Sequence, residues 1–266
     1  MRGWWQDLSD LVLPGRCAGC GRARTTLCTR CAVTVRGTGP SRVRPRPAPP
    51  GLPPVHAAVP YRDPARAVLL AHKERGALGL ARPLGAALAG AVAVAAGTGG
   101  GGGGGEGPLA LVPVPSAPRA TRARGHDPTL RIAYAAAAEL RRAGVAVRVL
   151  SVLRQRRQVA DQAGLGARQR LANVTGALEV AGGGRGLLAG IGRIVLVDDL
   201  MTTGASLAEA ARVMRAALGT ARPGEGGDRK WNGTAHAASG REKPEAVTVR
   251  AAVIASSPDS FEINRN

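Results

Sequence analysis

The residues of this chain that could do chemistry gather in two places. Asp198 and Asp199 follow the apolar run Ile194, Val195, Leu196, Val197 and precede Leu200, Met201, Thr202, Thr203, Gly204, Ala205 and Ser206. Hydroxyls on a small-residue turn suit an anion. The two carboxylates just upstream would repel that anion, so they call for hydrogen-bond donors or a cation about one sugar away: a ribose diol or magnesium. The second place is Cys17, Cys20, Cys28 and Cys31, two Cys-x-x-Cys pairs with seven residues between them. Each pair can bring two thiolates into one coordination shell through a tight turn, and four sulfurs close a tetrahedral structural zinc site with no position left for water. Iron and disulfides are the alternatives, the latter against the grain of a reducing compartment. The module is too small to hold a core, so metal binding would have to stabilise its fold.

These residues need elements to position them. Residues 194–197 suit a strand buried on both faces, as in a parallel sheet covered by helices. Behind the turn, Leu207, Ala210, Ala211, Met214, Ala217 and Leu218 give a helix with a 3.6-residue apolar period, and Glu209 and Arg212 lie off that face. Ser206 with Glu209 has the spacing of a capping box. Residues 202–206 are therefore expected at a helix N-terminus, where free N–H groups and the positive end of the dipole favour a phosphate.

Read in order, the rest of the chain supplies the frame. Trp4, Trp5, Leu8, Leu11, Val12 and Leu13 form a short amphipathic segment before the cysteines. Residues 36–54 are rich in Pro and Arg and read as an extended linker. An edge strand is expected over 55–61, then a helix over 64–74 whose Arg66, His72, Lys73 and Arg75 are explained by the helix C-terminus. A second helix over 78–96 runs into the seven glycines 99–105, a flexible connector. A strand over 109–115 leads to a loop with Ser116, Arg119, Arg122 and Arg124, then a helix over 129–143 and a strand over 145–152. Gln162, Ala163, Gly164 and Leu165 with residues 168–174 read as a basic, hairpin-like segment. Residues 219–245 read as a disordered polar insertion, and 247–254 as the closing strand. Alternating strands and helices predict a parallel, right-handed α/β sheet. The expected organisation is a four-cysteine module at 1–35, a linker at 36–54, and one domain at 55–266 with flexible inserts at 97–107 and 219–245.

Composition bounds the reading. A chain of 266 residues suffices for one sizeable α/β domain and a small module. With aromatics at 2%, Ala, Val and Leu must fill the core, so helices should pack closely. The formal net charge of +19 attracts polyanions, although arginine spread over many segments also fits compositional bias. The apolar stretch 84–96 is too short to span a bilayer, which takes about 18 residues or more. Asp7, Asp10 and Arg16 spoil a signal peptide, so a cytoplasmic protein is expected. The chain lacks a Gly-x-Ser-x-Gly elbow and a Gly-Lys-Ser/Thr phosphate loop, which removes serine hydrolases and P-loop ATPases.

Residues 194–206 resemble the phosphoribosyl-diphosphate signature of type I phosphoribosyltransferases at every position. The resemblance implies that fold: a parallel sheet flanked by helices, here with a small N-terminal four-cysteine zinc module. It also implies that Asp198 and Asp199 hold the ribose hydroxyls, that Thr202, Thr203, Gly204, Ala205 and Ser206 wrap the 5′-phosphate, and that the loop with Pro115, Ser116 and Arg124 binds pyrophosphate. With the cysteines, Val112-Pro113-Val114-Pro115, Arg124-Gly125, Gln162-x-Gly164-Leu165 and Arg170-x-x-Asn173-Val174, the chain is similar to the ComF family over nearly its whole length. Where that family usually has Arg-Gly-Phe-Asn-Gln, this chain has Arg124-Gly125-His126-Asp127-Pro128.

Members of that family are phosphoribosyltransferase-like proteins linked to competence and DNA uptake. The resemblance therefore implies structural zinc, magnesium with phosphoribosyl diphosphate, and displacement of pyrophosphate from ribose C1 by a nitrogen nucleophile. Positioning and charge stabilisation by magnesium and by Arg119, Arg122 or Arg124 would carry that reaction. No residue stands out as its general base; His72 and His126 are the options. A reading of another class is a non-catalytic adaptor with the same fold that binds single-stranded DNA or DNA-uptake and recombination proteins, for which steep salt dependence is expected.

Overall fold

The structure is a computed structural model, and it describes residues 15–98, 108–157, 159, 166–219 and 247–261. In chain order its elements are α1 (Thr29–Arg36), β1 (Ser41–Val43), β2 (Val55–Pro60), α2 (Ala65–Glu74), a 3-10 turn (Leu78–Leu80), α3 (Ala81–Ala96), β3 (Leu109–Pro113), α4 (Pro118–Arg124), α5 (Pro128–Arg142), β4 (Val147–Val149), β5 (Leu153–Gln155), α6 (Ala167–Val174), β6 (Leu178–Val180), α7 (Gly184–Leu187), β7 (Arg193–Met201), α8 (Ala205–Ala217) and β8 (Thr248–Ser256).

The main sheet has six strands in the order β1-β2-β8-β7-β3-β4. All pair in parallel except β1, which runs antiparallel to β2 with Val43 opposite Val55. This is a mixed α/β fold whose sheet is mostly parallel and flanked by helices. Strands buried on both faces need continuous apolar runs. Ile194, Val195, Leu196 and Val197 in β7, and residues 251–255 in β8, are at most 1% exposed. On one face α2, α3 and α5 pack over Val195, Val197 and Ile254; on the other α8 packs with β5, β6 and the 188–191 turn over Ile194, Leu196 and Val253.

Small side chains set how closely the helices approach. Gly85 of α3 faces α5, and a Cβ there would stand 2.5 Å from the Ala135 Cβ. The stretch Leu78–Ala96 is long and apolar enough to cross a membrane, longer than the sequence led us to expect. It is nonetheless a core helix here, with Leu84, Leu88, Ala91 and Val92 at most 1% exposed.

Several expectations are corrected. β2 is not an edge strand, because Ser41–Val43 lies outside it. The Pro/Arg-rich stretch 36–54 is pinned to the fold: Arg44 N–H donates to the Ser260 carbonyl at 2.6 Å, Val43 bridges Phe261, and Arg215 of α8 donates to the Gly51 carbonyl at 2.7 Å. The strand expected over 145–152 contributes only Val147–Val149 to the sheet; the chain then crosses to pair Leu153–Gln155 with β6. Residues 168–174 are not hairpin-like but helical, started by the Gln169 side chain accepting from Gly166 N–H at 2.9 Å and seated by buried Val174. The amphipathic segment at 4–13, the glycine run, residues 162–165 and almost all of the 219–245 insertion lie outside the described residues.

Candidate functional site

The acidic pair sits inside β7 rather than beyond it. Asp198 is opposite Val253 of β8, so the carboxylates emerge at the carboxyl end of the sheet between two covered faces. Asp199 is buried at 5% exposure and its Oδ2 accepts from Lys73 Nζ of α2 at 2.9 Å. Asp198 is half-buried, and its Oδ1 accepts from the Asp199 backbone N–H at 2.8 Å. Burial, reinforced by the Asp199 charge, pushes the Asp198 carboxyl well above its ordinary range, with Lys73 pulling the other way. Burial also opposes the charge on Lys73, but Asp199 and then Asp198 outweigh it and hold the ammonium above its usual range.

After Met201 the chain leaves the sheet and α8 begins at Ala205. The expected capping box is absent. The N-cap is Gly204 at φ 76°, no side chain caps the helix, and Glu209 turns inward to take two 2.8 Å bonds from Arg212. Glu209 is thus buried at 4% exposure, on a face that the sequence suggested was open. A left-handed N-cap favours glycine, and the spot is also tight: a Cβ on Gly204 would meet both Leu52 methyls at 3.1 Å. Linker residues Leu52 and Pro45 therefore wall the turn. Thr202 is exposed and Thr203 and Ser206 are half-exposed, and the N–H groups of residues 202–206 donate to nothing among the described residues. Free donors around a helix start can hold a phosphate-sized anion.

On the neighbouring strand, the loop after β3 carries Pro115 and Ser116, both half-buried. Asp127 organises it: its carboxylate accepts from Ser116 N–H at 3.4 Å, Ser116 Oγ at 3.2 Å and, as the N-cap of α5, Leu130 N–H at 3.1 Å. Asp127 is named from sequence only within the stretch 124–128 and without a role, although the Asp-Pro start of a helix is a capping signal. Arg119 and Arg122 of α4 are exposed. Arg124 is held close to the site: its Nε meets Glu74 Oε2 at 3.4 Å, and its Nη1 is buried without a hydrogen bond.

His72 and His126 stack obliquely, ring centroids 6.1 Å apart. Each places Nδ1 on a backbone carbonyl, His72 on Ala77 at 3.3 Å and His126 on Arg124 at 3.1 Å, and each leaves Nε2 buried without a hydrogen bond. His72 is 1% exposed, and burial lowers its pKa. That placement anchors the end of α2 and closes the ring to solvent. The structure thus unites Asp198, Asp199 and residues 202–206, and adds Lys73, Glu74 and Asp127, which sequence reasoning did not assign.

The four cysteines converge in a separate cluster. Their sulfurs all lie within 4.8 Å of one another, with Cys20 Sγ 3.7 Å from Cys28 Sγ, and none forms a disulfide. A tetrahedron of Zn–S bonds of ~2.3 Å has edges of ~3.8 Å, so the spacing fits a metal ion such as zinc. Although burial opposes it, N–H groups of Cys28, Cys20 and Gly19 hold the Cys17 thiol down to about 6; Cys31 is pushed up to about 12 by burial and its neighbouring sulfurs. Four thiolates resist crowding without a cation between them. Comparison of the chain with protein-family models and with curated proteins returned no match.

Proposed function

We propose that this chain is a ComF-type, phosphoribosyltransferase-like protein that binds phosphoribosyl diphosphate with magnesium and passes the phosphoribosyl group to an acceptor nitrogen. The observation that carries the reading is one composite site: an acidic pair at the carboxyl end of a central parallel strand, followed by a loop of undonated N–H groups at the start of α8. Open α/β sheets bind ligands at that end of their strands. Asp198 and Asp199 would take the ribose hydroxyls or magnesium, residues 202–206 the 5′-phosphate, and Ser116 with Arg124 the pyrophosphate. Magnesium would neutralise the leaving pyrophosphate, while the chain's own part is to orient the ribose and exclude water.

Zinc is the proposed metal of Cys17, Cys20, Cys28 and Cys31, in a structural role and in a cytoplasmic protein. A second reading, an adaptor for single-stranded DNA or for DNA-uptake and recombination proteins, is favoured by the exposed arginines Arg156, Arg168 and Arg185. Titration calorimetry with phosphoribosyl diphosphate, with and without magnesium, separates the two. The expected result is magnesium-dependent binding that is lost in the Asp198→Asn/Asp199→Asn double variant. A folded, zinc-loaded protein that binds only single-stranded DNA, with affinity falling steeply in salt, would establish the adaptor instead.

A further inference from the structure

Lys73 and Glu74 are consecutive residues at the end of α2, and they reach opposite ends of the candidate site. Lys73 Nζ lies on Asp199 at 2.9 Å, and Glu74 Oε2 lies by Arg124 at 3.4 Å. We propose that this dipeptide is an internal stand-in for the ligand, its ammonium filling the cation side at Asp199 and its carboxylate filling the anion side at Arg124. The inference rests on the functional reading above and deepens it, because it makes the cation and phosphate halves of binding interdependent.

The chemistry of each half supports the exchange. Asp199 is almost wholly buried, and a buried carboxylate needs a cation or donors. Lys73 supplies one now. A divalent ion on the same carboxylate would sit against the ammonium and repel it, so the two compete; a neutral sugar diol alone would bring no such repulsion. At the other end the contact is loose: 3.4 Å to a Glu74 side chain that is 51% exposed, while Arg124 Nη1 stays buried with no acceptor. A guanidinium left under-satisfied in this way is matched by phosphate oxygens, which accept two parallel N–H bonds.

The backbone that presents the pair is fixed. His72, directly before Lys73, is buried and bonded to the Ala77 carbonyl, so the exchange needs only rotations of two long side chains. Once a divalent ion takes Asp199, the ammonium of Lys73 is released and the phosphates that displace Glu74 bring it a new counter-charge. Cation and phosphate thereby help each other bind, and coupling between linked sites is typically about 5–150-fold.

The test is calorimetry on the full, zinc-loaded chain with manganese alone and with inorganic pyrophosphate alone, in wild type, Lys73→Met, Glu74→Gln and the Asp199→Asn control. Lys73→Met should bind manganese about tenfold tighter than wild type, and Glu74→Gln should bind pyrophosphate several-fold tighter. In wild type each ligand should strengthen the other, and that coupling should shrink in both variants. Equal or weaker manganese binding by a folded Lys73→Met overturns the stand-in. Should that variant not fold, unchanged pyrophosphate affinity in Glu74→Gln overturns it instead. Wild type that binds phosphoribosyl diphosphate with magnesium while neither variant gains leaves the site reading in place and removes only this inference. If no form binds manganese, pyrophosphate or phosphoribosyl diphosphate, both fall together.

Discussion

Ser116 and Asp127 are joined twice: the Ser116 N–H and hydroxyl both donate to the Asp127 carboxylate, at 3.4 and 3.2 Å, while that carboxylate also caps α5 through Leu130 N–H. One side chain therefore starts a helix and shapes the loop that faces the acidic pair. Asp127→Ala should cost about 0.5–2 kcal/mol in denaturant unfolding, the range of a lost N-cap, and weaken pyrophosphate binding. Asp127→Asn, which keeps an acceptor for Leu130, should recover most of the stability. Equal losses in both variants would show that the carboxylate charge, not the cap, holds the loop.

Gly204 holds the turn before α8 at φ 76° with Leu52 against it. Gly204→Ala should destabilise by about 1–2 kcal/mol from backbone strain alone, with the Leu52 contact adding to it. Thr202→Ala is the contrast, because Thr202 is exposed. That variant should melt like wild type yet bind phosphoribosyl diphosphate less tightly. An unchanged affinity would remove the Thr202 hydroxyl from the site.

Cys28 places its sulfur 3.7 Å from Cys20 and donates its N–H to the Cys17 sulfur at 3.3 Å. Cys28→Ser should reduce zinc, measured by plasma emission, from about one per chain to near zero, and lower the melting temperature of the N-terminal module. Full metal content in the variant would falsify a four-sulfur site.

Asp198 carries a pH signature. Its carboxyl sits well above the ordinary 3.8 in the folded protein, so its ionisation works against folding. That cost is absent below the ordinary value, grows as pH rises from there toward the raised one, and is constant above it. Asp198→Asn should therefore melt above wild type near pH ~8, and the gap should close as pH falls toward ~4. A gap that stays constant with pH would mean that Asp198 is not desolvated on folding.

Much of this arrangement was legible in the residues themselves. The continuous apolar run 194–197 declared a doubly covered strand, and the small residues after it declared a tight turn into a helix. The start of that helix departs from the expectation because Ser206 and Glu209 have capping-box spacing, yet Gly204 enters left-handed and the buried Glu209 carboxylate is taken by the exposed Arg212. β1 escaped notice because three residues between prolines carry one buried side chain, Val43, whose partners Val55 and Phe261 are remote. α6 reads as a basic, hairpin-like segment because only Val174 of its eight residues is buried, which leaves no apolar helical period. Lys73 was explained by its place at a helix end; its partner Asp199 is 126 residues away, a contact that no local pattern encodes.

The position of β8 bears on how the chain is made. This strand lies between β2 and β7, although it is synthesised after every other strand of the sheet. During translation β1 and β2 have no hydrogen-bonded route to β7, β3 and β4 until residues 248–256 have left the ribosome. Any sheet formed before then has an open seam, and with a ribosome stalled before residue 248 the ladder edges on both sides of that gap would be the kind of surface that chaperones cover.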